Sequence, residues 1–193
     1  MRNGAARLAA SLSEVPSSGS GEALSPIQSW FDRYLAACRI HAGGEDEVLW
    51  PALAVARPDL GSVFTTMEDE HQALSDALDA VAAALARGSG SEAAVAAKDL
   101  AELVDRHLDG EEAVAVPALV ESLGPDLGDL MRKVQQSAGP GGAAIAVPFL
   151  LEFATDAERA TVLAGLPPPV LGGLEDWERE YRELAMALPG GGP

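Results

Sequence analysis

The chain has 193 residues, of which nearly half are apolar, and carries a formal net charge of −17. That length suits one domain, or a domain with an appendage, and the apolar share is enough for a buried core. The acidic surface excludes nucleic acid and anionic membranes as natural partners. The lone cysteine, Cys38, excludes an intrachain disulfide and a thiolate-cluster zinc site.

Ala, Leu and Val dominate the apolar set, which favours helices over strands. The N-terminus has no long apolar stretch, and no later segment has 18 uninterrupted apolar residues. The expectation is a soluble, cytoplasmic, all-α protein.

In chain order, residues 2–14 read as a short helix, ended by Pro16 and a loop through Ser17 to Gly21. A second helix is expected to start at a Ser25 cap, with Pro26 in its first turn and Gln28 completing a capping box. Its inward stripe runs Ile27, Phe31, Tyr34, Cys38, His41, Glu45, Val48, Ala52, in steps of three or four. Pro51 and Pro58 mark where it bends or stops. A third helix spans Leu60 to Ala86 with the stripe Leu60, Phe64, Met67, His71, Leu74, Leu78, Val81, Leu85, closed by Arg87-Gly88-Ser89-Gly90. A fourth runs from Ser91 to Leu123 with Ala93, Ala96, Leu100, Val104, His107, Glu111, Val114, Ala118 inward. Residues 126–142 hold a short helix and then a break at Gly139-Pro140-Gly141-Gly142, and shorter helical segments follow at 143–154, from the Thr155-x-x-Glu158 capping box to Pro167, and on to Leu188.

All three histidines of the chain, with Glu45 and Glu111, therefore lie on core-facing stripes of three helices. A carboxylate turned into a core costs several kcal/mol unless something compensates it. No Lys or Arg lies on those stripes, so a bound cation is the simplest compensation. Residues four apart sit one turn of about 5.4 Å along the same face, so a His and a Glu at that spacing can converge on one ion. Imidazole with carboxylate suits iron, manganese or zinc better than calcium. Asp46, Glu47 and Glu112, and likewise Glu68, Asp69 and Glu70, read as solvated flanks. The motif is also duplicated. Residues 41–53 read HAGGEDEVLWPAL and residues 107–119 read HLDGEEAVAVPAL, so each half supplies one His-x-x-x-Glu pair.

These two segments, with MEDEHQALSDAL between them, resemble the second, third and fourth helices of hemerythrin-like (HHE cation-binding) domains over roughly residues 1–123. The C-terminal part looks like the helical extension of some bacterial members. The resemblance implies an up-and-down four-helix bundle at 1–123 with a short or truncated first helix. A helical extension at 124–188 would pack on it, and a disordered tail would occupy 189–193. It further implies a non-haem di-iron centre, with His41 and His107 as terminal ligands, Glu45 and Glu111 as bridges, and His71 sharing an iron with His107. O2 or NO would be the small ligand, or iron itself the cargo. The family places a further histidine in the first helix. None precedes His41 here, so the site is expected to lack one nitrogen ligand, and Met1 is expected to be an internal methionine with that ligand upstream of it.

No dinucleotide fingerprint or nucleophile elbow is present, and nothing names a substrate, so a binding module is favoured over an enzyme. Two alternatives stand beside it: an acidic helical interaction protein that has lost its metal, for which the adjacent Gly43 and Gly44 argue, and a di-iron oxidase or peroxide-handling enzyme. Oligomeric state is not legible.

Overall fold

The computed structural model describes residues 1–15, 21–139 and 141–190. Among them there are ten α-helices and no strand. The expected loop at 16–20 and the last three residues of the expected tail, 191–193, lie outside the described residues.

Four segments build the bundle: α1 (Arg2–Ser13), α2 (Gly21–Gly44), α4 (Gly61–Ala86) and α5 (Gly90–Gly110), with α1 against α2 and α5, and α4 against α2 and α5. The helix α2 begins a turn earlier than the Ser25 cap predicts, and Pro26 sits inside it. Leu24 explains the difference: it is buried in the main core of the bundle, so packing holds the extra turn despite the hydrogen bond that Pro26 cannot donate. Between α4 and α5 the chain reverses as expected. Gly88 has φ +70°, and the Gly88 and Ser89 amides donate to the Leu85 and Ala84 carbonyls, the paired closure that a left-handed glycine permits.

The two helices that carry a His-x-x-x-Glu pair continue past their glutamates through a widened π turn. One is Glu45–Leu49, leading into α3 (Trp50–Ala56); the other is Glu111–Ala115, leading into α6 (Val116–Leu123). These turns correct the predicted stripes. Beyond Glu45 the buried residues are Leu49, Trp50 and Leu53 instead of Val48 and Ala52. Beyond Glu111 it is Ala115 that is buried, while Val114 is exposed. The extra residue in a π turn advances the inward face by one position.

The apolar interior is divided in two. An upper core gathers Leu8, Phe31, Tyr34, Cys38, Leu74, Leu78, Leu100 and Val104. A lower core gathers Leu49, Trp50, Leu53, Phe64, Met67, Ala115 and Leu119. On each ligand-bearing helix the chemistry falls between them. Cys38 and Leu49 bracket His41 and Glu45, Met67 and Leu74 bracket His71, and Val104 and Ala115 bracket His107 and Glu111.

The C-terminal helices are α7 (Leu127–Ser137), α8 (Gly142–Glu152), α9 (Asp156–Gly165) and α10 (Pro168–Met186). Helices α8 and α10 pack on each other and on α2, with a small core of Val147, Leu151 and Leu174. The capping box at Thr155 forms as predicted, with Thr155 and Glu158 each bonding the other's backbone. Helix α7 lies against α2 and the first π turn, and Gly44 makes that approach possible: a Cβ there would stand 2.7 Å from Val134 Cγ1. Gly44 is thus a packing requirement, not a mark of decay. At the end of the described chain, the Pro189 carbonyl accepts a hydrogen bond from Ser11 (3.2 Å).

Candidate metal centre

The structure brings together all five residues singled out from the sequence. His41, Glu45, His107 and Glu111 each offer a ligand atom, and these four atoms lie within 4.8 Å of one another. His71 adds its Nε2 at 3.3 Å from Glu45 Oε2 and 3.1 Å from His107 Nε2. His107 Nε2 is 2.9 Å from Glu111 Oε1, and His41 Nε2 is 3.4 Å from Glu45 Oε2 and 3.9 Å from Glu111 Oε2. Glu45, His71, His107 and Glu111 are buried. The His41 ring is partly exposed at its edge, while its Nε2 is enclosed.

This crowd of polar atoms is not hydrogen-bonded as a crowd should be. His41 Nε2, Glu45 Oε2 and Glu111 Oε1 are buried without a hydrogen-bond partner. Among the described residues, neither glutamate is paired with a Lys or Arg. Buried polar atoms left this way are costly and call for an explanation.

The outer nitrogens of two rings sharpen the point. His71 Nδ1 is 2.7 Å from Asp46 Oδ1, and His107 Nδ1 is 3.0 Å from Glu70 Oε2. An ionised carboxylate only accepts, so each Nδ1 carries the hydrogen. In the neutral rings both Nε2 atoms then bear lone pairs that face each other. Such a convergence suits a shared cation, and a carboxylate behind a ligand histidine is the usual way its tautomer is set. The structure corrects the reading of Asp46 and Glu70 as solvated flanks: they are half-buried partners of the site. Their adjacency to Glu45 and His71 is a signal in the sequence, but which ring each meets depends on the neighbouring helix. Glu47, Glu68, Asp69 and Glu112 are exposed, as expected.

Without a cation the site titrates abnormally. Burial pushes the Glu45 carboxyl up to about 7 and holds the His41 imidazole down to about 4. Burial also opposes charge on His107, but the close Glu111 and Glu70 carboxylates prevail and raise it to about 9. His71 is raised in the same way by Glu45 and Asp46. Burial opposes ionisation of Glu111, yet the adjacent His107 and His41 rings bring it below its ordinary value. The arrangement stores charge that one or two divalent ions would neutralise, and its N/O donor set fits iron.

Beside His41 lies a cavity of about 260 Å³, lined in part by Met1, Cys38, Leu74, Leu78, Leu100 and Val104. Met1 is held at its edge. The Tyr34 hydroxyl donates to the Met1 carbonyl (3.3 Å), and the Cys38 thiol lies 3.7 Å from the Met1 sulfur. No helix among the described residues is long and apolar enough to cross a membrane.

Comparison with curated proteins and with solved structures gave no match. Comparison with protein families gave one: residues 1–119, the whole segment that carries the His–Glu cluster, match the hemerythrin HHE cation binding domain. With most of its length matched, and with a buried cluster of histidines and carboxylates between its two cores, the chain belongs to the hemerythrin HHE cation-binding family.

Proposed function

We propose that this protein holds two iron ions in the layer between its cores, with His41, Glu45, His71, His107 and Glu111 as ligands. The loaded site binds O2 or NO, or serves to handle iron. The observation that carries this reading is the approach of the His71 and His107 Nε2 atoms to 3.1 Å, each ring backed by a carboxylate on Nδ1. Charge supports the number of ions: Glu45, Glu111, Asp46 and Glu70 supply four negative charges when ionised, enough to balance two divalent cations.

Iron held by these residues would supply one-electron chemistry toward small diatomic ligands. The protein's own residues do the rest. Asp46 and Glu70 hold the His71 and His107 tautomers with Nε2 free to ligate. Leu74, Leu78, Leu100 and Val104 give the cavity beside His41 apolar walls suited to a small uncharged molecule. Residues 1–123 form the binding unit in this reading, and 124–188 brace α2 from outside.

The test is anaerobic reconstitution with Fe(II), followed by metal quantification and an absorption spectrum after exposure to air. About two irons per chain with an oxo-bridge charge-transfer band is the expected result. Failure to retain iron, both in this chain and in one extended upstream, would overturn the proposal.

A further inference from the structure

Both candidate bridging glutamates occupy the same backbone position: each is the first residue of a π turn. The Trp50 amide closes the first turn on the Glu45 carbonyl, and the Val116 amide closes the second on the Glu111 carbonyl. In both copies the very next residue is a proline, Pro51 and Pro117. From this repeated arrangement we infer that Pro51 and Pro117 are positioning residues that keep the helices wide at Glu45 and Glu111 and so hold the two carboxylates in the ligating layer. The inference rests on the metal-binding reading above.

The physical reason is local. Proline has no amide hydrogen, and in a regular helix its ring presses on the carbonyl four residues back, here Glu47 and Ala113. Opening the preceding turn by one residue removes that collision. π turns of this kind recur at functional sites.

The wider turn also solves a register problem. His41 and His107 must stay in line with the upper core, while Leu49, Trp50 and Leu53, or Ala115 and Leu119, must reach the lower one. With regular spacing after Glu45, the inward positions would be 48 and 52, and the lower core would lose Leu49 and Trp50. The inserted residue lets the helix point the glutamate inward and still bury the residues below it. In the first copy it has a further result. The consecutive residues Glu45 and Asp46 reach opposite nitrogens of one ring, with Glu45 3.3 Å from His71 Nε2 and Asp46 2.7 Å from His71 Nδ1.

Proline alone does not make such a turn. Pro26 lies inside α2 and Pro148 inside α8, and neither helix widens there. The π turns occur where a proline coincides with the demand for two inward faces out of register. Both Pro51 and Pro117 are exposed, so their own rings fill no part of either core.

The experiment uses Pro51→Ala and Pro117→Ala in the full chain, with Pro26→Ala as control and Co(II) as the probe ion. Each of the first two variants is expected to weaken Co(II) binding about tenfold or more and to alter its visible d–d spectrum. The metal-free variants should remain helical, and the backbone amide hydrogen that each substitution introduces should be protected from exchange. Pro26→Ala should bind as the unmodified chain does. Unchanged Co(II) affinity and spectrum in both variants would overturn the inference while leaving metal binding intact. An unmodified chain that takes up no Co(II) would sink the metal-binding reading and this inference together. If one variant fails to fold, its counterpart in the other half carries the same test.

Discussion

His71 and His107 face each other through their Nε2 atoms at 3.1 Å, and each ring is fixed from behind by a carboxylate borrowed from another helix. Asp46, just beyond α2, serves His71 on α4, and Glu70 on α4 serves His107 on α5. The first π turn, α4 and α5 are thereby linked by a relay of carboxylate and imidazole pairs across the layer between the cores.

Removing a ring tests whether this layer is where metal resides. His107→Ala should lower iron content from about two per chain to one or fewer, with the far-ultraviolet circular dichroism still that of a helical bundle. The upper and lower cores carry the fold, and neither includes His107. Unchanged iron content in this variant would show that the site has been misplaced.

Removing the carboxylates behind the rings should act more gently. Asp46→Asn and Glu70→Gln leave every ligand in place but remove the charged acceptor on Nδ1, and each should weaken metal binding by about 10- to 100-fold. Competition with a chelator of known affinity measures this. Equal affinity in both variants would return Asp46 and Glu70 to the status of solvated flank.

The metal-free protein should lose stability as the solution becomes alkaline. His107 titrates at about 9 in the folded chain against about 6.5 in an unfolded one. Its contribution is complete below about 6.5 and disappears as pH rises through 9, because the folded state holds the extra proton. Glu45, raised to about 7, acts with the same sign over the interval between its unfolded value and 7. The urea midpoint of metal-free protein should therefore fall between about pH 6.5 and 9.5. Metal uptake at neutral pH should release the His107 proton, so apparent affinity rises over the same range. A flat urea profile would contradict the pairing of His107 with Glu111 and Glu70.

The contact between α7 and the first π turn can be probed at Gly44. Gly44→Leu should destabilise the metal-free protein by about 1–3 kcal/mol through overpacking against Val134. Combining it with Val134→Ala should recover part of the loss, as expected for residues in direct contact. Thermal denaturation reads both effects, and additive losses in the double variant would show that the two residues do not touch.

The amino-acid sequence by itself determined which His and Glu side chains share an inward face. The three- and four-residue spacing that places His41 with Glu45 and His107 with Glu111 is a property of a single helix, so it is legible without knowing what the helix packs against. The same is true of the Gly88 stop and the Thr155 cap, where the hydrogen bonds close within a few residues. Only the tertiary structure decided the rest. The start of α2 moved because Leu24 found a core to enter, and Gly44 proved necessary because α7 approaches it. Leu49, Trp50 and Ala115 displaced Val48 and Val114 because a π turn changes the register midway, where no periodic pattern extends. Asp46 and Glu70 became partners of the site through rings on other helices. Their roles depend on how neighbouring helices are rotated about their axes, which packing sets and spacing along one chain does not encode.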